Sequence, residues 1–258
     1  MPIDQICEPK ECTACFACMA VCPQRAISKK RNRLDEEIPV IDAAKCIACG
    51  ACMAVCPMNH KPSMKRTEYC YAAWSKTEDD LLKSSSGAVS AVLSRAFIRE
   101  GGVVYGAASC DGQVFHTRID TLDGIEQLRG SKYVKSDIRN CYELVRADLK
   151  DGKKVLFTGT PCQVAGLKAY IGKENQNLAT VDLICHGTPP FPYLEEYLKE
   201  ICAHSKDKAW DFVAFRLGRP FMMKVFRNNN LIYQKAAAED IYYTAFLEGM
   251  IFRSNCYN

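Results

Sequence analysis

Cys12-x-x-Cys15-x-x-Cys18-x-x-x-Cys22-Pro23 is followed by Cys46-x-x-Cys49-x-x-Cys52-x-x-x-Cys56-Pro57. Each run has the spacing with which cysteine thiolates hold a 4Fe–4S cluster. Three thiolates three residues apart can wrap one cubane from a single tight loop. The fourth, expected at the start of a short helix, reaches across to the other cluster. The reading assigns Cys12, Cys15, Cys18 and Cys56 to cluster I, and Cys46, Cys49, Cys52 and Cys22 to cluster II. Proline after the fourth cysteine suits a turn away from the cluster and brings no competing N–H. Zinc sites use separated C-x-x-C pairs, and disulfides need an oxidising compartment. A triplet plus a fourth cysteine before proline, repeated, fits neither. The runs establish electron transfer but name neither donor nor acceptor.

At 258 residues the chain is long enough for a small cluster domain and one larger domain. The expected division is 1–66 and 67–258. The offset between the two runs implies a pseudo-twofold pair of loop–helix units. Residues 26–42 between them read as a hairpin with a charged tip. Its basic run, Lys29 to Arg33, is either plain solvated surface or a dock for an acidic donor such as a ferredoxin. The net charge of +4 is too mild to argue for nucleic acid. No signal peptide and no run of about 20 apolar residues is present, so no membrane span and a cytoplasmic location are expected. Of the sixteen cysteines, the eight outside the runs are scattered and read as mostly ordinary buried thiols.

Residues 59–63 read as a linker, and Tyr69 to Ser75 as a strand. A helix is expected from a Ser86 N-cap to Ile98. Strands follow at 103–108 and 113–119, paired through Asp111-Gly112. Then come a buried strand at 153–158, a turn Gly159-Thr160-Pro161-Cys162-Gln163, a helix over 164–171, a buried strand over 178–184 ending at Cys185-His186-Gly187, and a helix over 193–202. Strand–helix–strand–helix implies a parallel arrangement. The fold class is therefore α+β / α/β: a two-cluster ferredoxin-like unit, then an α/β domain with a mixed, partly parallel sheet. Shorter strands at 212–216, 223–227 and 231–234 precede a last helix at about 240–252.

In open parallel sheets, ligands bind beyond the carboxyl ends of the strands. Thr160-Pro161-Cys162 and Cys185-His186-Gly187 both sit at such ends. A ferredoxin unit joined to an α/β domain points to a second redox centre, and a flavin couples one-electron carriers to hydride chemistry. Its phosphates could use the Ser85-Ser86-Gly87 helix start, whose other reading is a plain cap. They could also use the Gly159-Thr160 turn. No G-x-G-x-x-G fingerprint is present. Cys162, near a helix N-terminus, is a redox thiol, an extra metal ligand, or a small residue in a tight turn. His186 is a proton donor or a structural histidine.

Four stretches carry a family resemblance: Ser85-Ser86-Gly87; Gly130-Ser131-Lys132-Tyr133-Val134-Lys135-Ser136; residues 155–167, with Thr158-Gly159-Thr160-Pro161-Cys162-Gln163 at their centre; and residues 182–187, ending in Cys185-His186-Gly187. The chain from about residue 70 onward resembles the coenzyme F-420 hydrogenase/dehydrogenase beta-subunit family, in its ferredoxin-fused bacterial form. The resemblance implies FAD beside the 4Fe–4S clusters. Ser131, Lys132 and Tyr133 join the cofactor-binding residues, and His186 and Cys162 are the catalytic candidates. It implies an oxidoreductase passing electrons from a ferredoxin-like donor through two clusters to FAD and on to a small hydride acceptor, such as the deazaflavin F-420. Archaeal members draw their electrons from hydrogen or formate. Other relatives act with glutamate synthase or sulfite reductase, or remove a hydroxyl from 7-hydroxymethyl chlorophyll. The bacterial branch often accompanies polysaccharide genes, so a non-catalytic electron-transfer subunit is the alternative. That leaves room for an oligomer or a partner subunit. Two departures stand out. The chain stops at Asn258, where family members continue with a further Cys, which reads as C-terminal truncation. The family's Ser-Gly-Gly is Ser86-Gly87-Ala88 here, and alanine resists a position that needs φ > 0.

Overall fold

The structure, a computed structural model, describes residues 3–63, 66–203, 209–217 and 221–257. The N-terminal unit is built from α1 (Ala17–Val21), β1 (Ile27–Arg31), β2 (Glu37–Ile41) and α2 (Ala51–Ala54). β1 and β2 pair antiparallel from Ile27↔Ile41 to Arg31↔Glu37. The tip is closed by Asn32 Oδ1, which accepts from the Leu34 and Glu36 amides. This is the expected hairpin. Its basic run is only partly free, because Lys29 pairs with Asp137 and lies over the Phe16 ring.

The repeat in sequence is a repeat in backbone. Ala14 and Phe16 have φ of 50° and 59°, and their counterparts Ala48 and Gly50 have 53° and 74°. Left-handed residues at matching places bend the backbone the same way around each cysteine triplet. Three of the four positions carry a side chain there, each at a cost of about 1–2 kcal/mol. The helices differ from expectation. α1 and α2 begin after Phe16 and Gly50, between the second and third cysteines, and Cys22 caps the end of α1. The fourth cysteine therefore leaves a helix rather than starting one. A run of three cysteines within seven residues needs the loop first and the helix immediately after.

The larger unit contains α3 (Glu78–Leu82), α4 (Val89–Arg99), β3 (Val103–Cys110), β4 (Gln113–Ile119), α5 (Ile125–Leu128), α6 (Cys141–Lys150), β5 (Val155–Gly159), α7 (Pro161–Ile171) and β6 (Leu178–Asp182). The sheet order is β4-β3-β5-β6. β3 and β4 are antiparallel, while β3–β5 and β5–β6 are parallel. Two left-handed residues, Asp111 and Gly112, make the β3–β4 turn, which matches the twist of a two-residue hairpin. The central strands β3 and β5 alternate between two cores. Tyr105 and Phe157 face Tyr142, Val145 and Leu167, together with Cys15, Ala17 and Cys18 of the N-terminal unit. Val104 and Leu156 face Ala91, Ile119 and Ile125. The cysteine loops are thus part of the same core as one face of the sheet. Each fully buried large side chain there contributes about 1.5–3 kcal/mol.

A third layer comprises α8 (Phe191–Cys202), the antiparallel β7 (Phe212–Leu217), β8 (Met222–Arg227) and β9 (Asn230–Ala236), and α9 (Ile241–Leu247). Leu194, Leu198, Val213, Phe215, Met223 and Tyr243 form its core. Asp240 caps α9 through the Tyr243 amide and accepts from the Tyr197 and Tyr233 hydroxyls.

Four readings change. Residues Tyr69 to Ser75 form no strand and have no regular structure, with Tyr69, Tyr71 and Trp74 exposed. β6 is a half-buried edge strand that ends at Asp182, not a buried one reaching 184. α9 ends at Leu247, short of the expected 252. Of the eight scattered cysteines only Cys141 and Cys202 are buried. Among the described residues no helix is long and apolar enough to cross a membrane. Asn258, the point of the expected truncation, lies outside the described residues.

Candidate functional site

A cavity of about 780 Å³ lies at the carboxyl edge of β5 and β6, within the range that holds drug- and cofactor-sized ligands. Of the residues expected at a cofactor, Ser85, Ser86, Ser131, Lys132, Tyr133, Thr158, Gly159, Thr160, Gln163, Cys185, His186 and Gly187 line it. Gly87, Pro161 and Cys162 do not. Gly87 has a packing role: a Cβ there would meet the Ala73 carbonyl at 2.4 Å. Pro161 is the first residue of α7. Cys162 sits just behind the wall, 3.2 Å from Thr160 Oγ1 and 3.5 Å from Lys135 Nζ.

The opening turn of α4 forms one side. Its N-cap is Ala88, at φ 63°, and not Ser86; no side chain caps it. The first-turn N–H groups thus meet no side-chain acceptor at the cavity edge, where an anion is favoured. Ser85 turns away to accept from the Ser131 amide and hydroxyl, tying the two serine loops together. Below them Asp80, 1% exposed, receives Arg95 and Arg129, both at 2.7 Å, and the Ser75 hydroxyl. The Lys132 amine lies deep, donating to the Leu128 and Arg129 carbonyls. Burial pulls it down to about 7, so it gains a proton readily when an anion approaches.

His116 does not stand out in the sequence. It lines the cavity fully buried. Its Nε2 is 3.0 Å from the Thr158 carbonyl and its Nδ1 is 3.0 Å from Ser136 Oγ. A carbonyl only accepts, so Nε2 carries the proton and Nδ1 accepts from the serine. Gln163 Nε2 donates to Ser136 Oγ, and Gln163 Oε1 accepts from the Thr160 amide and hydroxyl as half of a capping box. One chain of hydrogen bonds therefore runs from β4 through the cavity floor to the start of α7. Burial pushes His116 down to about 4, which keeps it neutral. One sequence signal does point to it: His116 shares the inward alternation of Val114 on β4.

His186 is exposed at the rim, its Nε2 2.9 Å from the Leu247 carbonyl and its ring edge-on to Phe252. The neutral imidazole spends its proton on that carbonyl, so only the imidazolium has one to give elsewhere. Burial alone would push the Cys162 thiol up, but the Lys135 ammonium and the Thr160 hydroxyl bring it below its ordinary value. Cys185 lies within charge range of both Cys162 and Cys256.

Two small cavities in the N-terminal unit are rich in sulfur. Cys12, Cys15, Cys18 and Cys56 line one; Cys22, Cys46, Cys49 and Cys52 line the other. Each of these cavities is thus lined by at least four cysteines of the two runs. Cys7, read from sequence as an ordinary thiol, lines the first cavity too, its thiol within hydrogen-bonding reach of Cys12 and Cys56. Among the described residues no group of three or more His, Cys, Asp or Glu side chains converges on a single metal ion. A cubane is a larger object, held at its corners. The all-thiol donor sets suit such a group in chemistry. The two sites differ in setting. Cys49 and Ile47 of the second are exposed, whereas Cys15, Cys18 and Cys56 of the first are buried. The first abuts α7, where a Cβ on Gly166 would lie 3.0 Å from Cys15 Sγ. Lys135 bridges the same contact, donating to the Thr13 carbonyl at 3.1 Å.

Residues 11–60 match the 4Fe-4S dicluster domain, and residues 152–257 match the family described as the C terminus of the coenzyme F420 hydrogenase/dehydrogenase beta subunit. A solved structure of the xenon-derivatised F420-reducing NiFe hydrogenase complex from Methanosarcina barkeri is similar at 20% identity and a TM-score of 0.47, over 75% of this chain and 71% of that one. No curated protein matches.

Proposed function

We propose that this chain, with a dicluster segment and an F420 beta-subunit segment, is an iron–sulfur flavoprotein oxidoreductase. It takes electrons from a ferredoxin-like donor and delivers them, by way of two 4Fe–4S clusters and FAD, to a small hydride acceptor such as a deazaflavin. In this reading the unit to about residue 66 is the electron inlet, residues 67–258 form the flavin domain, and the free thiols suit a reducing cytoplasm. The observation that carries the reading is the junction of the two segments. Cys15, in the buried sulfur cavity, packs on Gly166 of α7, and the first turn of that helix supplies Thr160 and Gln163 to the large cavity. The clusters would supply one-electron relay, and the flavin would join that relay to two-electron chemistry.

Cys12, Cys15, Cys18 and Cys56 hold cluster I; Cys46, Cys49, Cys52 and Cys22 hold cluster II. The uncapped start of α4, with Ser86 and Lys132, receives the FAD phosphates. Thr158, Gly159 and Thr160 give the flavin a backbone-lined edge, and the His116–Ser136–Gln163 chain fixes that edge. His186 at the rim serves as an acid toward the acceptor, and Cys162 sits behind the cavity as a second candidate. The exposed Cys49 and Ile47 mark the face where a donor protein meets cluster II.

A second reading, an electron-transfer subunit without its own chemistry, is favoured by one feature. Leu183 and Ile184, beside the cavity mouth, are 52% and 105% exposed, as suits a surface covered by a partner enzyme. Iron, sulfide and flavin measured per chain on anaerobically purified protein separate the two. About eight irons with FAD released on heating support the flavoprotein. Iron without flavin moves the assignment to the subunit, and absence of iron rejects both. A screen of deazaflavin against other hydride acceptors then identifies the acceptor.

A further inference from the structure

We infer that Lys135 raises the reduction potential of the cluster held by Cys12, Cys15, Cys18 and Cys56 above that of the cluster held by Cys46, Cys49, Cys52 and Cys22. This rests on the cluster assignment proposed above and adds a direction to it. The couple concerned is the one-electron reduction of each cluster, with no protein bond made or broken.

The two sites would otherwise be ordered the wrong way. Reduction adds negative charge, and a buried site disfavours added charge more than a solvated one. Three of the four cysteines in the set around Cys15 are buried, while in the other only Cys52 is, and that set opens to solvent at Cys49. On burial alone, electrons would rest at the surface cluster, away from the large cavity. A fixed cation beside the inner site reverses that ordering, because it favours the more negative state.

Lys135 is placed to do this. Its Nζ donates to the carbonyl of Thr13, inside the Cys12–Cys15 loop, and to Cys162 Sγ behind the large cavity. Its own amide is fixed to the Pro189 carbonyl at 3.0 Å. Among the described residues no carboxylate is bonded to its ammonium. Lys29, the other lysine at this loop, is neutralised by Asp137 and Glu37. Arg253 also reaches the Cys12 charge, but it is held by the Glu37 carbonyl and Asn255 and shares its charge with the Glu36 carboxylate. Around Cys52 the neighbouring charges are the thiols Cys22 and Cys49.

The test is a reductive titration followed by EPR on whole, cluster-loaded protein, with dithionite as reductant. It uses wild type, Lys135→Met and Lys135→Arg, and a Cys49→Ser background assigns the inner signal. In Lys135→Met the reduced-to-oxidised ratio of the inner cluster, read at its wild-type midpoint, should fall about tenfold. That is about 59 mV for a one-electron couple. The outer cluster should stay put, and Lys135→Arg should keep the wild-type value. If Lys135→Met does not fold, Lys135→Gln carries the same expectation. Equal shifts in both clusters, or none in either, overturn the inference while leaving the function standing. Wild-type protein without iron overturns the function itself.

Discussion

Replacing Gly166 with alanine is expected to cost the chain the iron of one cluster and spare the other. A Cβ at 166 would lie 2.9 Å from Cys15 Cβ, 2.9 Å from the Tyr142 hydroxyl oxygen and 3.0 Å from Cys15 Sγ. Carbon pairs rest at about 3.5–4.0 Å, so the methyl intrudes by about 0.6 Å or more. None of these neighbours is a loose end. Cys15 and Tyr142 are buried, and the Tyr142 hydroxyl donates to the Gln163 carbonyl at 2.8 Å. Overpacking of this kind costs about 1–3 kcal/mol. Alanine over glycine inside a helix returns about 1 kcal/mol. The net cost of about 0–2 kcal/mol leaves a folded chain whose cheapest relief is to push the Cys15 loop off α7. The assay is iron and sulfide per chain after anaerobic purification, with Lys168→Ala on the exposed side of α7 as control. The variant should carry about four irons where wild type carries about eight, and the lost EPR signal should be the inner one. Full iron content with an unchanged spectrum would refute the reasoning.

Three further outcomes are expected. Asp80→Ala leaves Arg95 and Arg129 without their buried partner and should destabilise the chain by about 3 kcal/mol in urea unfolding; a change below about 1 kcal/mol would show the network to be idle. At Ala88, held at φ 63°, valine should cost about 2 kcal/mol or more while glycine stays within about 1 kcal/mol of wild type; equal melting temperatures would contradict the strain. His116 sits near 4 when folded, because burial lowers it, against 6.5 when unfolded. Between those values the unfolded chain binds more protons, so stability should fall as pH drops from 6.5 to 4, by up to about 1.4 kcal/mol per unit; His116→Asn should flatten that slope, and an unchanged slope would assign it elsewhere.

Much of the layout was legible because it rests on short-range signals. The cysteine spacing placed the eight thiols in two sets, since a loop with three of them has few ways to close. The β5-turn-α7 edge was legible from a buried apolar run broken by Gly159-Thr160-Pro161, although the helix expected from 164 starts at Pro161, directly after a Thr160 cap. What escaped depended on contacts distant in sequence. Tyr69 to Ser75 has strand composition, but its neighbours in the fold give it no ladder; the Ser75 amide instead meets the Gly87 carbonyl at 2.8 Å. Ser86 was a sound local cap, yet Gly87 is pressed against Ala73, and that moves the helix start to a strained Ala88. His116 looked like an ordinary strand residue because its partners, Thr158 and Ser136, lie 42 and 20 residues away.

The placement of the inner cysteines governs how the two units hold together. Cys15, Ala17 and Cys18 share a core with Tyr105, Tyr142, Phe157 and Leu167. The loop that would grip a cluster is therefore also a wall of the main sheet's core. Whatever free energy thiolate ligation contributes to ordering that loop is felt by β3, β5, α6 and α7, because metal binding is folding free energy where no preformed site exists without it. The outer set reaches the same core through the buried Cys52 and the half-buried Cys22 but opens to solvent at Cys49, so fewer of its thiols are coupled to the sheet. Burial and core sharing both fall on Cys15, Cys18 and Cys56 of the inner set, and the Lys135 contact falls on the loop that carries Cys15. An arrangement meant only to store electrons would gain nothing from that asymmetry. In the proposed function, that asymmetry sets the inner cysteines between a surface inlet and the cavity.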